Sequence, residues 1–576
     1  MFPAMEGPVS SGPRRFFSAI NFSRRMPRGA PGCFPADRRL FTHVKRLAVI
    51  PFTVYKSSVM QDGGTRRRFR MIIPAYPAFN IYSRVARLTT ALGPVSVATV
   101  VSTLPGWDVE VIDENNYGRF GPVDGAGLPD HQTLQTIRPA AVVGLYGGLS
   151  STIPRLYEVA RFYRERGVTT VAGGQHFAGE NIREALDHGV DYVVLGEGEE
   201  TIRDLLGALA EGRAPETVAG MAFLRDGQVV RTAERPPITD FGRLPLPDFH
   251  LVRYARLKLF PVGWIRGCGM NCEFCTVKGH PRAAPPERVV EQIAAVLETH
   301  GGRHFFVVDD LFGHRREETL RLCRLLAAYQ EAVNTRLDIT VQIRLDRGRD
   351  PELLRAMRAA GINTVCIGFE SPIREELEAM NKVLKPEDML AMTRRYHEAG
   401  FLVHGMFIFG YPLPEGVQLT LSVRERVRQF RTFIRRARLD TIQVLLPVPL
   451  PGTELTARLA AQNRIFPREI IGWEYYDGNF PLFRPDAPLT PEDMQTAIRK
   501  IMGRFYRFHA VFAIARNVLI FPAMLFSLFH IRFGWRKWYR SWRNELLRFG
   551  GWIILRRWTA QFKKGDFSAK LARAKQ

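Results

Sequence analysis

Short apolar runs alternate with longer amphipathic stretches along residues 69–205. The runs typical of strands are 69–74, 109–113, 140–145, 169–172 and 191–195. Between two of them, residues 152–166 place apolar side chains at helical spacing and predict a helix. Strands separated by helices are typical of a parallel, doubly wound α/β sheet of the Rossmann-like class. We therefore predict a first domain of this class over 69–205.

A second alternating series covers residues 256–460. It begins with the apolar run "LFPVGWIRG", and further strand candidates follow at 304–310, 338–344, 364–371, 404–410 and 442–453. Helical stretches at 287–299, 315–331 and 386–399 separate them. Six strands, counted from the first run, predict a partial (β/α)6 barrel of the TIM type. In such a barrel the functional side chains lie on the loops that follow the strands.

The remaining segments complete the predicted domain organisation. Residues 1–68 are predicted to form a basic, disordered tail, 206–255 a linker, and 461–576 a helical extension rich in basic and aromatic residues. The tail has no apolar stretch before a cleavage site, so it does not read as a secretory signal. Its interpretation as a transit-type segment, a mobile tail or the result of an early start codon stays open. We expect a cytoplasmic protein.

The positive charge lies at the two ends of the chain. The formal net charge is +24, of which residues 1–70 carry +11 and residues 532–576 another +11, leaving +2 for the middle. A nucleic-acid groove would spread basic residues over the folded body. We therefore expect no nucleic-acid partner.

Half of the cysteines stand in one short stretch, "RGCGMNCEFCTVKG". Cys268, Cys272 and Cys275 have the spacing C-x3-C-x2-C, whereas Cys33, Cys323 and Cys366 are scattered. Six cysteines in 65.5 kDa are too few for a disulfide framework, and a cluster of three predicts a metal site in a reducing compartment. Three thiolates on an iron–sulfur cluster leave one iron with an open position. The alternative is a zinc site that uses His280 as a fourth ligand.

This loop, after an apolar strand, resembles the signature of the radical S-adenosylmethionine (SAM) enzymes. The resemblance implies a [4Fe-4S] cluster on the three cysteines whose free iron binds SAM, and whose reduction yields a 5′-deoxyadenosyl radical. It also implies an external one-electron donor of the flavodoxin or ferredoxin type. The family places SAM contacts at strand ends, so the resemblance implies SAM-binding roles for Asp309, Asp310, Arg344, Glu370 and Ser371. The alternative for a strand-end aspartate is a helix cap. Cys323 and Cys366 are expected to be core thiols.

Glycine-rich loops follow three strands of the first predicted domain. They are "GLYGG" at 144–148, "AGGQH" at 172–176 and "LGEGEE" at 195–200, with Gly173 28 residues after the end of "VGL". Glycine lets backbone approach a large ligand, and no dinucleotide fingerprint is present. The combination resembles the cobalamin-binding domain that precedes some radical SAM barrels. The implied contacts are Gly144, Tyr146, Gly147, Gly173, Gly174, Gln175, His176, Gly196, Glu197 and Gly198.

One departure from that family concerns the cobalt ligand. The Asp-x-His-x-x-Gly motif is absent, so we expect no histidine from that motif on cobalt. We expect the nucleotide tail along the loops 144–148 and 173–176. His176 is either an axial or tail contact or a loop histidine that bonds to backbone.

The C-terminal segment suggests a membrane surface and a hydrophobic substrate. Residues 517–531 are the most apolar window but span only 15 residues, short of the roughly 20 that a spanning helix needs. Beyond it, Trp alternates with Arg at helical spacing, which favours adsorption to an anionic membrane on its inner face. The alternative is a helix packed on the barrel with a solvated basic face.

Three functional hypotheses follow from these resemblances. The first is a cobalamin-dependent C-methyltransferase that acts on an unactivated carbon of a lipid-like substrate. The second is an oxidative cyclase of the anaerobic magnesium-protoporphyrin ester cyclase type. The third is a non-catalytic cobalamin- or nucleic-acid-binding protein. A methyl group gained by the product separates the first two, and formation of 5′-deoxyadenosine separates both from the third.

Overall fold

Two parallel sheets organise the chain in the computed structural model, which describes residues 66–576 apart from 82, 119, 383, 510, 513–514, 516–533 and 563–564. The predicted tail lies outside these residues except for its last three positions. The apolar window 517–531 also lies outside them.

Seven strands form the first sheet. They are β1 (Arg67–Ile73), β2 (Trp107–Asp113), β3 (Val142–Tyr146), β4 (Thr169–Gly173), β5 (Tyr192–Val194), β6 (Met221–Arg225) and β7 (Gln228–Arg231). The helices of this domain are α1 (Ser83–Ala86), α2 (Leu92–Ser102), α3 (His131–Ile137), α4 (Ile153–Arg164), α5 (Asn181–Asp187) and α6 (Gly198–Glu211). The first five strands lie where the apolar runs predict them, because strands covered on both faces are nearly continuous apolar segments.

The strand order of this sheet is β2-β1-β3-β4-β5-β6-β7, and β1 to β5 are parallel. The order reverses between β1 and β3. In doubly wound sheets with the order 2-1-3-4-5, ligands bind beyond the carboxyl ends of the strands at this reversal. The sheet topology therefore places a ligand crevice beside the glycine-rich loops that follow β3, β4 and β5.

The predicted linker 206–255 is wrong for its first half. Helix α6 continues to Glu211, and β6 and β7 form an antiparallel hairpin that extends the first sheet past β5. The turn between them is Asp226-Gly227, with φ of 49° and 75°. Two consecutive left-handed residues are what a tight two-residue hairpin requires.

Six parallel strands form the second sheet, in the order β15-β14-β13-β12-β11-β8. They are β8 (Phe260–Val262), β11 (His304–Phe312), β12 (Asp338–Ile343), β13 (Ile362–Glu370), β14 (Leu402–Ile408) and β15 (Thr441–Leu445), and a two-stranded ribbon, β9 (Ile265–Arg266) with β10 (Arg282–Ala283), flanks the cysteine loop. The outer helices are α7 (Pro286–His300), α8 (Arg316–Ala332), α9 (Pro351–Ala359), α10 (Arg374–Ala379), α11 (Pro386–Glu398) and α12 (Val423–Arg436). The predicted partial (β/α)6 barrel is confirmed.

Local sequence signals set the limits of the barrel helices. Proline stands at the first helical position of α7, α9 and α11, where its missing N–H is not needed. Helix α12 begins with a capping box, in which the Ser422 hydroxyl and the Glu425 carboxylate satisfy each other's backbone N–H groups. These signals fix where each helix begins. The carboxyl ends of the six strands meet at one mouth because the strands are parallel.

The C-terminal extension covers both domains. Its helices are α13 (Glu454–Ala461), α14 (Arg468–Ile471), α15 (Pro491–Phe505), α16 (Gly534–Phe562) and α17 (Phe567–Ala574). Trp473, Tyr475 and Phe480 join the core of the first domain together with Phe567 and Leu571. Met494, Ile498 and Trp558 join the barrel core instead. Among the described residues, no helix is both long and apolar enough to cross a membrane.

Candidate functional site

The three clustered cysteines lie on a loop between β9 and β10. Gly267 and Gly269 have φ of 85° and 70°, and a Cβ atom at Gly267 would lie 2.8 Å from the carbonyl oxygen of His280. The backbone N–H of Gly269 donates to the carbonyl oxygen of Gly279 over 3.0 Å. Glycine is needed here because the two arms of the loop approach each other backbone to backbone. The loop is therefore closed at its base before any ligand binds.

The three thiols of the loop have similar surroundings. Cys272 is buried and the other two are half-buried, and burial raises the pKa of all three thiols. Three thiolates are the donor set of an iron–sulfur cluster with one open iron, whereas the zinc alternative needs His280 as a fourth ligand.

Glu273 fixes this loop to two distant elements. Arg458, on α13, donates to both carboxylate oxygens of Glu273 over 2.6 and 2.9 Å, and the hydroxyl of Tyr411 donates over 2.6 Å. The Glu273 residue is only 8% exposed. A charged pair at this depth holds its geometry because leaving either partner alone is costly. No local pattern predicts this contact, because Glu273 and Arg458 are 185 positions apart.

Removing Arg458 is expected to loosen the cysteine loop. In Arg458→Leu the Glu273 carboxylate keeps only the Tyr411 hydrogen bond, a loss of about 3 kcal/mol for a buried charge left without its partner. We expect a chelator to strip iron from the reconstituted protein at least ~10-fold faster, measured by absorbance. The matched control is Arg464→Leu, because Arg464 forms a similarly half-buried pair with Asp486 away from the loop. Equal rates of iron loss in the two variants would contradict this role.

Three of the predicted strand-end residues face the cysteine loop. Asp310 accepts a hydrogen bond from the Gly267 N–H and adds to the rise in the pKa of Cys268 and Cys275. A guanidinium N–H of Arg344 lies 3.0 Å from the Met270 sulfur. Glu370 has φ of 59° and binds Lys382 over 2.8 Å. The site therefore presents both signs of charge around the thiols.

Lys382 is a residue that the sequence interpretation missed. Its ammonium lies 5.9 Å from the centroid of the Phe274 ring. Burial opposes its charge, but Glu370 and the thiols of Cys272 and Cys268 raise the pKa of Lys382 overall. A lysine held charged in this way supplies a cation beside the thiols. No local pattern marks it, because it follows a helix and not a strand.

The other two predicted SAM contacts have structural partners. Asp309 is fully buried and accepts the backbone N–H groups of Trp264 and Ile265 over 2.7 and 2.8 Å, and burial raises the pKa of its carboxyl to about 7. One of its oxygens has no partner. Ser371 is inaccessible, because its hydroxyl binds the buried carboxylate of Glu376. Ser371 therefore does not reach a ligand, in contrast to its predicted role.

One cavity of about 440 Å³ lies between the first sheet and the barrel. Eight of the ten residues predicted to contact cobalamin line it: Gly144, Tyr146, Gly173, Gly174, Gln175, Gly196, Glu197 and Gly198. From the barrel side, Arg266, Asp309 and Asp310 line the same cavity. The remaining walls are largely apolar, with Leu92 and Val97 of α2 among them. The glycine loops and the strand ends beside the cysteines thus share one space.

Ion pairs join the two halves of this cavity. Arg266, directly before the cysteine loop, binds Glu197 over 2.9 Å and Glu199 over 2.5 Å. Arg282, directly after the loop, binds the other oxygen of Glu197 over 3.0 Å. Burial disfavours the charged carboxylate, but the hydrogen bonds from Arg282 and Arg266 lower the pKa of Glu197 overall. Glu197 therefore connects the third glycine loop to both ends of the cysteine loop.

Two predicted cobalamin contacts do not line the cavity. His176 is 2% exposed, its Nδ1 lies 3.0 Å from the Ser150 hydroxyl, and its ring packs against Trp473 at 4.6 Å. Burial lowers the pKa of His176 to about 3, so the ring is neutral. Gly147 instead supports the loop, and its carbonyl oxygen accepts the N–H of His176 over 3.0 Å. The prediction of His176 as a cofactor contact differs from the structure because the C-terminal extension covers it.

The described half of the Trp- and Arg-rich helix α16 packs on the barrel. Trp558 is 2% exposed in the barrel core, and the Arg548 guanidinium lies 5.0 Å from the centroid of the Phe505 ring. The side chains of 534–543 lie outside the described set. For the described residues, the alternative of a helix packed on the barrel therefore holds.

Residues 262–417 match the family model of the radical SAM superfamily. This range begins at the end of β8 and includes the three cysteines and the strand ends around them. The chain contains a radical SAM domain over these residues. The resemblance of the C-x3-C-x2-C loop to the radical SAM signature is thereby confirmed.

Curated relatives of this radical SAM protein have several activities. An uncharacterised methyltransferase of Pyrococcus horikoshii is 27% identical over 62% of this chain and 78% of its own length. The anaerobic magnesium-protoporphyrin IX monomethyl ester cyclase of Cereibacter sphaeroides is 26% identical over 59% of this chain and 56% of its own length. The hopanoid C-2 methylase of Rhodopseudomonas palustris is 23% identical over 70% and 72%. These relatives support the assignment of the chain as an enzyme.

Solved structures share the two-domain fold of this radical SAM protein. The methyltransferase TsrM of Kitasatospora setae, solved with cobalamin and a [4Fe-4S] cluster, has a TM-score of 0.56 and 19% identity over 69% of this chain and 78% of its own. The cobalamin-dependent SAM radical enzyme OxsB has a TM-score of 0.57 and 13% identity over 88% and 84%. The predicted fold class, a Rossmann-like domain before a radical SAM barrel, is confirmed.

Proposed function

We propose that this radical SAM enzyme uses cobalamin to methylate an unactivated carbon of a hydrophobic, lipid-like substrate. The observation that carries the proposal is the shared cavity. It brings the glycine loops of the first domain and the strand ends beside the cysteines to the same 440 Å³ space. The likeness to TsrM and the hopanoid methylase supports the same proposed function.

The proposal gives each group of residues a separate task. Cys268, Cys272 and Cys275 hold a [4Fe-4S] cluster, and Asp310, Arg344 and Glu370 bind the polar ends of SAM by charge. Gly144, Gly173 and Gly196 with their neighbours let the backbone approach cobalamin closely. When bound, these groups supply a 5′-deoxyadenosyl radical and a methyl donor.

The chain itself contributes position and exclusion of water. The Glu273–Arg458 pair holds the cysteine loop against the barrel. The pairs of Glu197 with Arg266 and Arg282 hold the two domains at one separation. A fixed separation matters because a radical reaction requires its partners in a narrow geometry, and the apolar walls keep water from a reactive carbon. An external one-electron donor and peripheral contact with a membrane complete the proposal.

Product analysis after anaerobic reconstitution tests this function. The protein is loaded with iron, sulfide and cobalamin and given SAM with a deuterated methyl group, a one-electron reductant and a total lipid extract. We expect 5′-deoxyadenosine and S-adenosylhomocysteine together, and a lipid that carries the deuterated methyl group. The Cys275→Ala variant is the negative control.

The other outcomes each decide against methyl transfer. A product without the label, accompanied by 5′-deoxyadenosine alone, would assign the chain to the oxidative chemistry of its cyclase relatives. No 5′-deoxyadenosine with a fully loaded cluster would indicate a non-catalytic cobalamin-binding protein.

A further inference from the structure

A basic groove opens on the outside of the barrel, away from the cavity already described. Its volume is about 930 Å³, and it lies between α12, α15 and α16. Seven arginines line it: Arg428, Arg431, Arg435, Arg438, Arg504, Arg507 and Arg548. The first six are exposed. Three of them, Arg428, Arg431 and Arg435, follow the i, i+3, i+7 spacing of one helix face.

The positive charge of this groove is not neutralised by the protein around it. Within the described residues, none of the six exposed arginines forms an ion pair, whereas Arg548 binds Glu545 over 2.9 Å. The acid at the floor, Asp440, is engaged by His397 over 3.2 Å and by the Asn544 amide over 2.5 Å. Like charges held this close repel one another. The groove therefore favours an anionic ligand.

The adjacent segment of the same polypeptide adds further positive charge. Residues 491–544, which contain α15 and the first part of α16, include ten Lys and Arg residues and two acids, Glu492 and Asp493. Glu492 binds Lys575 over 2.5 Å and Asp493 forms the capping box of α15 with Thr490, so both acids have partners outside the groove. A ligand from outside, with several negative charges, fits the groove. Arginine matches phosphate oxygens with paired N–H groups.

The groove lies at the end of the barrel opposite the cysteines. Arg435 is in the last turn of α12, and Arg438 precedes β15, so both stand at the amino end of the strands. The cysteine loop follows β9 at the carboxyl end. Strands of five to nine residues span roughly 17–30 Å. A redox protein bound in this groove would lie at least the length of these strands away from the cysteine loop. This separation argues against an electron donor as the ligand.

Exposed apolar side chains border the arginines. Phe508 and Phe512 follow Arg507 and are 45% and 63% exposed, and Leu546 and Leu547 precede Arg548 and are 47% and 40% exposed. Phosphate binding alone does not require apolar side chains on the rim. A lipid surface presents phosphate and hydrocarbon side by side, and basic residues next to large apolar ones are typical of proteins that bind it.

We propose that this groove binds the phosphate headgroups of anionic lipids and docks the base of the barrel on a membrane surface. Its arginines supply the charge, and Phe508, Phe512, Leu546 and Leu547 enter the headgroup region. The mouth of the barrel then faces away from the membrane plane. The proposal stands on the groove and its rim and does not depend on which reaction the enzyme performs.

Vesicle flotation with the full chain tests the docking surface. Wild-type protein is expected to float with vesicles that contain roughly a third phosphatidylglycerol and to stay behind with phosphatidylcholine alone. Each arginine near an anionic surface contributes about fivefold, so the variant R428Q/R431Q/R435Q should bind about 100-fold more weakly. The charge-matched control is R161Q/R203Q/R231Q, which removes three exposed arginines of the first domain and should lose less than about fivefold.

Several results would overturn the proposal. Equal loss in the two triple variants would mean that only net charge matters. Equal binding to neutral vesicles would mean that the groove is not used. Tighter binding to a DNA duplex than to vesicles at equal phosphate concentration would assign the groove to nucleic acid. Release from the vesicles by micromolar inorganic phosphate would assign it to a small anion. None of these readouts involves methyl transfer, so they leave the proposed reaction untouched.

Discussion

Replacing any one of Cys268, Cys272 and Cys275 by alanine is expected to abolish formation of 5′-deoxyadenosine. The loss should be complete, below ~0.1% of wild type, because two thiolates do not hold a cluster that can be reduced with SAM bound. The anaerobically reconstituted variants should also lose the absorption near ~400 nm that thiolate-bound clusters give. The measurement is 5′-deoxyadenosine by mass spectrometry, next to iron and sulfide per chain.

The chain supplies a matched control for this experiment. Cys323 lies on α8 in the same barrel and is 1% exposed, and burial raises the pKa of its thiol to about 12, as expected of a core residue. Cys323→Ala should keep the absorption and the product. If Cys323→Ala loses as much as the three loop variants, or if a loop variant keeps its cluster, the three-thiolate site is wrong.

Gly174→Ala is expected to weaken cobalamin binding strongly, whereas Gly207→Ala, in helix α6 of the same domain, is expected to be tolerated. Gly174 has φ of 136°, and a Cβ atom there would lie 2.4 Å from the carbonyl carbon of Gly147. That obstacle is backbone, held by the hydrogen bond from the Gly147 N–H to the Gly173 carbonyl over 2.8 Å. A Cβ atom at Gly207 would meet nothing closer than 3.7 Å, at the end of the Arg213 side chain. The two variants make the same change in composition, so a difference between them reports the steric requirement at Gly174.

The expected loss of cobalamin affinity in Gly174→Ala is at least ~100-fold, since strain of a few kcal/mol falls on the loop that lines the cavity. Equilibrium dialysis measures the affinity. Iron content serves as the internal check, because the cysteine loop belongs to the other domain and should load normally. Tight cobalamin binding by Gly174→Ala, or equal weakening in Gly207→Ala, would contradict the assignment of these loops.

Much of the fold is predictable because its sheets are parallel and buried. Strands such as β3 and β5 are continuous, largely apolar segments, and their limits fall within two residues of the sequence prediction. The hairpin of β6 and β7 was missed although a signal was present. The sequence "RDGQ" carries Asp226-Gly227 between alternating residues, a strong short-range hairpin signal.

The residues of the site can be predicted only where they lie close together in one segment of the sequence. The cysteines and glycine loops are local patterns, so their chemistry can be recognised along the chain. The pairing of Glu273 with Arg458, and the covering of His176 by Trp473, join residues that only the tertiary fold brings together. His176 was a reasonable candidate from its glycine-rich loop. In the structure it is covered by an extension that lies about 300 positions later in the chain. A local sequence pattern carries no information about which distant segments will bury a residue.

The most direct test of the central claim is electron paramagnetic resonance of the reduced, anaerobically reconstituted protein with and without SAM. Three thiolates on a four-iron cluster leave one iron open, so SAM is expected to change the spectrum of the reduced cluster, and isotopically labelled SAM nitrogen should couple to it. A spectrum that SAM leaves unchanged, with no coupling to the label, would mean that the fourth iron is already occupied and would contradict the account.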